Sequence, residues 1–161
     1  MSLLPNLNCD DWLLLFLRLN NNQPIRGRLL FIKMLFVANK ELLNNTLDKL
    51  FNFYPDKNGP YSKTFQPCLN SLSQKGLVSE LIKQTEMGNA YEYKLTTEGI
   101  EKANTPCDKL DSDLKKKLSE LKKAFIGLGH MKVLRYVYQK YPEYTTESVI
   151  KDDVKNASNY F

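Results

Sequence analysis

One stretch of the chain, Leu77 to Leu95, abandons the helical spacing of apolar residues that dominates its surroundings, and that change of period limits the fold more than any other feature. Leu77 to Ile82 is a β-compatible run, Gln84 to Ala90 is polar with Gly88-Asn89 suited to a reversal, and Tyr91 to Leu95 alternates again. The expected product is a two-stranded hairpin set among helices.

The flanking segments are helical in pattern. Cys9 to Leu19 is dense in leucine, with Trp12, Leu13, Phe16 and Leu19 on one stripe and Asp10 or Asp11 near the start, and Asn20-Asn21-Asn22-Gln23 ends it. Pro24 then stands where a second helix can begin, carrying Ile25, Leu29, Ile32 and Phe36. A short helix between Leu42 and Leu50 and a short strand from Phe51 to Tyr54 lead into a concentrated turn signal, Pro55 to Pro60. Ser62 or Thr64 is placed to cap a third helix with Phe65, Leu69 and Leu72 inward and Gly76 as its stop; Pro67 requires that helix to start late or to bend. After the hairpin, Thr96 or Thr97 caps a short helix through Ile100 to Ala103, which Asn104-Thr105-Pro106 is expected to end. The boundary falls there, dividing a domain of residues 9–104 from a helical extension of residues 105–161. In the extension, Leu110, Leu114, Leu118, Leu121, Phe125 and Leu128 recur every three or four residues, with Lys115, Lys116, Lys117, Lys122 and Lys123 mostly off that seam. Gly127 and Gly129 break it, Met131, Leu134, Tyr138 and Tyr141 mark another helix stopped by Pro142, and Thr145-Thr146 can cap a last one through Val149 and Ile150.

Helix, helix, short strand, helix, hairpin, helix is the order of a winged helix-turn-helix, an α+β and mainly α fold in which the hairpin projects beside the third helix. The residues Asn58-Gly59-Pro60-Tyr61-Ser62, Lys75-Gly76-Leu77-Val78 and Tyr93-Lys94-Leu95-Thr96-x-x-Gly99 resemble those of prokaryotic winged-helix proteins, in which the third helix runs into a Gly-Leu-Val first wing strand and Tyr-x-Leu-Thr-x-x-Gly closes the second. The Gly-Pro-Tyr-Ser element and Val137 to Thr145 also look like archaeal proteins distantly related to the SocA-like antitoxin (Panacea) domain. This resemblance implies a module of families that include transcription regulators and antitoxins that bind proteins.

Composition narrows the function classes. Cys9, Cys68 and Cys107 are odd in number and far apart, so neither a disulfide framework nor a zinc site is expected, and a reducing, cytoplasmic setting fits them. Trp12 to Leu17 is too short for a signal or membrane segment. The single histidine, His130, lies between a glycine-rich break and an apolar helix, and the paired carboxylates Asp10-Asp11 and Asp152-Asp153 are adjacent at helix ends. With no phosphate-cradling glycine loop and no HExxH, the expectation is a protein that is not an enzyme and carries no cofactor. The net charge of +5 divides almost evenly either side of residue 104 and decides nothing alone.

The expected function is a DNA-binding transcriptional regulator, with the third helix in the major groove and the wing on the backbone; a protein-protein interaction module that does not bind DNA is the alternative. For double-stranded DNA, the outer face of the third helix offers Ser62, Lys63, Gln66 and Asn70, the wing offers Lys83, Gln84, Thr85 and Asn89, and Arg26 and Arg28 at the start of the second helix are phosphate candidates. For a protein partner, Tyr136, Tyr141, Tyr144, Tyr160 and Phe161 supply aromatic contact area. A positive stripe joining Arg26, Arg28, Lys63 and Lys83 would favour DNA, whereas scattered charge beside an exposed apolar patch would favour a protein. The seam Leu114, Leu118, Leu121 and Phe125 either makes a homodimer or packs on the first helix of its own chain.

Overall fold

The computed structural model describes residues 4–86 and 88–145. The fold is α+β and mainly helical, with two small antiparallel sheets. The helix α1 (Cys9–Asn22) opens on a capping box in which the Asn8 side chain accepts from the Asp11 amide at 2.8 Å and the Asp11 carboxylate accepts from the Asn8 amide at 3.1 Å. It is regular as far as Arg18; Leu19 is extended, and Asn20, Asn21 and Asn22 follow in the left-handed region that asparagine tolerates better than most residues. Trp12 to Leu17 and Leu19 are all buried, so the expected stripe is a whole circumference.

The second helix starts later than its spacing predicts. Ile25 and Arg26 form a short strand, β1 (Ile25–Arg26), and Gly27, at φ +89°, turns the chain into α2 (Arg28–Glu41). The Gly27 amide donates to the Tyr91 carbonyl at 2.7 Å and its carbonyl accepts from Phe31 at 3.1 Å, so one residue ends the strand pairing and begins the helix. Every residue from Leu30 to Asn39 is buried. The expected short helix at 42–50 shrinks to α3 (Asp48–Phe51), preceded by turns. The Pro55 to Pro60 turn belongs to a small hairpin, β2 (Tyr54–Asp56) with β3 (Gly59–Tyr61), so the expected strand at Phe51 to Tyr54 lies further along the chain.

The helix α4 (Phe65–Gln74) starts late, which puts Pro67 at its third residue, where the missing amide has no intrahelical acceptor to lose. It closes on Gly76, at φ +75°, with Gly76 donating to Ser73 and Leu77 donating to Leu72, both at 3.0 Å. The strands β4 (Val78–Thr85) and β5 (Gly88–Leu95) pair from Val78 with Leu95 to Thr85 with Gly88, so the reversal lies between Thr85 and Gly88, earlier than Gly88-Asn89. β1 adds to the other edge of β5, giving the order β1-β5-β4.

Gly99 locks the hairpin's base. In α5 (Thr97–Asp108), Thr96 is the cap: its hydroxyl accepts from the Gly99 amide at 3.0 Å and donates to the Gly76 carbonyl at 2.6 Å. The Thr96 amide donates to the Leu77 carbonyl, and that same oxygen would stand 1.9 Å from a Cβ on Gly99. The Leu-Thr-x-x-Gly ending is thus a close approach of two backbones. α5 does not stop at Asn104-Thr105-Pro106; it carries Pro106 within it and ends at Asp108.

The extension continues with α6 (Ser112–Leu128), capped by the Asp111 carboxylate on the Leu114 amide at 2.8 Å, and α7 (His130–Lys140), separated from it by Gly129 at φ +83°. Gly127 stays inside α6. A 3₁₀ turn, Pro142–Tyr144, follows, and the helix expected from Thr145-Thr146 onward lies outside the described residues. Leu114, Leu118 and Phe125 are buried and Leu121 half-buried as α6 packs on α1 and α2, so the seam packs within its own chain. Leu128 departs from that seam and is exposed. No helix among the described residues is long and apolar enough to cross a membrane.

Two lysines among the described residues are buried. Lys122 donates to the Leu19 carbonyl at 2.7 Å and the Leu17 carbonyl at 3.3 Å, closing the broken end of α1. Lys33 has no hydrogen-bond partner for its ammonium nitrogen among the described residues, and burial pulls it down to about 7, against a weaker upward pull from Asp56.

Two outcomes follow from this packing. Gly99→Ala forces the backbones of α5 and β4 apart and is expected to cost about 2–3 kcal/mol, seen as a lowered Tm. For Lys33 the folded-state value lies below the unfolded 10.5, so the unfolded chain binds the extra proton between pH 7 and 10.5 and stability rises with pH across that window. Urea denaturation of Lys33→Met beside the parent chain should show the variant's advantage largest near pH 6, at most about 5 kcal/mol, and shrinking by pH 9.

Candidate macromolecule-binding face

The outer side of α4 and the hairpin β4–β5 form one continuous face, and most of the residues expected to bind lie on it. Arg28, the first residue of α2, holds its guanidinium 4.5 Å over the Tyr91 ring and donates to Gln66 Oε1 at 3.3 Å. Gln66 Nε2 in turn donates to Asn70 Oδ1 at 2.8 Å, one helical turn along α4. Arg28, Gln66 and Asn70 are therefore a single chain of contacts linking hairpin to helix. Lys63 is exposed, with its ammonium 5.5 Å from the Tyr54 ring.

Lys83, Gln84, Thr85 and Asn89 are exposed together at the far end of the hairpin, where Gln84 faces Asn89 and Thr85 donates to the Gly88 carbonyl at 2.6 Å. Arg26 is not at a helix start. It lies in β1 opposite Glu92 and pairs with it at 2.8 Å, and that bond, with Lys83 and Lys94 near, holds the Glu92 carboxyl below its ordinary range.

Ser62 is the residue the structure removes from the face. It is 1 % exposed, and its hydroxyl donates to the Phe51 carbonyl at 2.6 Å, while Thr64 donates to the Leu50 carbonyl at 2.8 Å. Both hydroxyls satisfy carbonyls at the end of α3, where the left-handed Asn52 amide donates to the Asp48 carbonyl at 2.9 Å.

The charges of the face do not form a stripe. Glu92 sits between Arg26 and Lys83, while Glu80 and Glu86 flank the same hairpin. Two features went unseen in the sequence. Leu81 and Ile82 are 49 % and 54 % exposed, and as successive strand residues they point to opposite faces of the hairpin. Their signal was present as two adjacent large apolar residues in a run with room for one. The second is Tyr93, 1 % exposed, whose hydroxyl has no hydrogen-bond partner among the described residues; nothing in the sequence marks it.

The aromatic residues of the extension are turned inward. Tyr136 and Tyr141 each donate to Glu41 Oε2 at 2.7 Å, Lys140 pairs with the same oxygen at 3.1 Å, and Tyr141 and Tyr144 pack edge-on against Phe36. They tie α7 and the following turn to α2 and leave little surface to offer a partner. Tyr160 and Phe161 lie outside the described residues. His130 is exposed at the start of α7, and among the described residues no group of three or more His, Cys, Asp or Glu can hold a metal ion.

Ser62→Ala is expected to lower stability by about 1–3 kcal/mol in chemical denaturation, because the buried Phe51 carbonyl loses its donor. No family model, curated protein or solved structure matches the chain.

Proposed function

We propose that the chain is a winged-helix module, with α4 as its third helix and β4–β5 as its wing, and that the face they share binds a protein. Residues 9–104 would form the module and residues 105–161 the extension that steadies it. The three free thiols suit a reducing, cytoplasmic compartment, and the reading assigns no catalytic role.

The exposure of Leu81 and Ile82 carries the proposal. Two large apolar side chains on opposite faces of one hairpin lose favourable burial for as long as they stand in water, and a protein surface is the environment that restores it. The neighbouring charges support the same choice. A DNA backbone is held by cations that release counterions, and here Arg26 is already paired with Glu92, Arg28 is stacked on Tyr91, and Glu80, Glu86 and Glu92 would face phosphates at close range.

Duplex DNA is the second reading. It draws on Lys63, Gln66 and Asn70, whose amides are of the type that pairs with adenine from the major groove, while the wing's Lys83, Gln84, Thr85 and Asn89 would meet the backbone.

Two measurements separate the readings. A photo-cross-linking residue placed at Leu81, in cells that carry the protein, should give one discrete adduct that disappears when Ile82→Asp is added. Fluorescence anisotropy of labelled duplex at two salt concentrations should show only weak binding, equal in the parent and in a Lys63→Ala/Gln66→Ala variant. Tight, salt-sensitive duplex binding that drops in the variant would overturn the protein reading in favour of DNA.

A further inference from the structure

The three cysteines are free thiols, and the fold brings two of them together although they are far apart in the chain. Cys9 is the first residue of α1, and Cys68 lies one turn into α4. The buried Cys68 thiol donates to Asp10 Oδ1 at 3.1 Å, and Asp10 is the neighbour of Cys9 in the first turn of α1. The Cys9 sulfur stands within hydrogen-bonding reach of the same thiol. Lys75, at the far end of α4, donates to Asp10 Oδ2 at 3.0 Å and so leaves Oδ1 to the sulfur. Hydrogen bonding to Cys9, burial and the Asp10 carboxylate hold the Cys68 thiol above its ordinary range, so it keeps its proton at rest.

The two sulfurs are unlike in access. Cys9 is half-buried, so a small reagent can reach it, whereas Cys68 is shielded and has a carboxylate in contact to receive its proton. One sulfur that meets a reagent beside one that follows is the arrangement that thiol-disulfide exchange requires. Cys107 supplies the contrast. It is also buried, and burial also raises its thiol, but the charged groups around it are Lys115, Arg18, Asp108 and Lys122, with no second thiol among them.

We propose that Cys9 and Cys68 form a reversible disulfide by exchange with a low-molecular-weight disulfide. The Cys9 sulfur, as thiolate, attacks one sulfur of the small disulfide; that S–S bond breaks, and the first small thiolate leaves and takes up the proton that Cys9 gave up. Cys68 then passes its proton to Asp10 and attacks the Cys9 sulfur of the mixed disulfide. The Cys9–Cys68 bond forms, the second small thiolate leaves, and the proton held by Asp10 returns to it through solvent. Two protein thiols have lost two electrons, and one small disulfide has become two thiols. The bond fastens the first turn of α1 to α4, the helix that carries Gln66 and Asn70, and closes a loop of about 60 residues. In a reducing compartment the pair stays open until the small disulfide accumulates. None of this depends on which macromolecule the α4 face meets.

The test equilibrates the full, folded chain with mixtures of reduced and oxidised glutathione, quenches free thiols with an alkylating agent, and reads intact mass and peptide maps. As the oxidised share rises, a single intramolecular Cys9–Cys68 bond is expected, with Cys107 still alkylated, full reversal by dithiothreitol, and a Tm about 10 °C above that of the reduced chain. Cys107→Ala should close in the same way. Cys68→Ala should stop at the mixed disulfide on Cys9. Asp10→Asn should accumulate that mixed disulfide at pH 7 and lose the deficit by pH 9, where hydroxide takes the proton instead. Glutathione retained on Cys9 of the parent chain with Cys68 still free, bonds between two chains, or a Cys9–Cys68 bond that appears only in denaturant would each overturn the proposal. An Asp10→Asn chain that closes as fast as the parent at pH 7 would overturn the part given to the carboxylate.

Discussion

Every side of α2 has to be covered, and the other elements take their places from that requirement. From Leu30 to Asn39 the helix has no wet face, so it must be enclosed, with α6 and α7 packed along it and β1 and β3 at its flanks. Burial of each large side chain in that run contributes about 1.5–3 kcal/mol, which makes α2 the main store of stability and the reason the extension cannot hang free. The same run contains two polar residues, and they show what enclosure demands. Asn39 is satisfied, donating to Asp48 at 2.7 Å and accepting from the Leu47 amide at 2.7 Å, and in doing so it fixes the path into α3. Lys33 is not satisfied, and its amine gives up proton affinity instead.

The face proposed for binding is built on that core rather than beside it. Gly27 sends the chain from the sheet edge into α2, so the guanidinium of Arg28 is fixed between Tyr91 of the hairpin and Gln66 of α4. The Schellman closure of α4 and the Thr96 cap of α5 meet at the Leu77 carbonyl, which anchors the hairpin at its base while its distal half stands clear. Rigidity at one end and exposure at the other is what a projecting contact element needs.

Much of this organisation was legible in local chemistry. Gly76 as a stop, Thr96 as a cap and the late start of α4 that Pro67 requires are each decided by a few adjacent residues, and such signals survive in a bare sequence, whereas the reversal of the hairpin falls ahead of the Gly88-Asn89 pair that seemed to mark it. The β1 strand was not legible, because Ile25, Leu29, Ile32 and Phe36 share a helical spacing and only the distant edge of β5 claims Ile25 and Arg26. Ser62 and Lys122 misled for the same reason. A serine before a helix looks like its cap, and a lysine in a run of lysines looks solvated, yet both are consumed by carbonyls from elements far from them in the chain. Of the site itself, the polar residues could be named but their mutual pairing could not, since the charge balance of the face depends on Glu92 meeting Arg26 across a strand pair.

The contact between Lys122 and the Leu19 carbonyl spans 103 positions of sequence. When a ribosome makes this chain, α1 emerges with its last turn broken by the left-handed asparagines and its final carbonyls open to water. At ordinary elongation rates the lysine that closes them is translated about 5–20 s later. Throughout that interval the leucine-rich α1 has neither its cap nor the α6 surface that covers it, so the nascent chain passes through a period in which a helix destined for burial is left open.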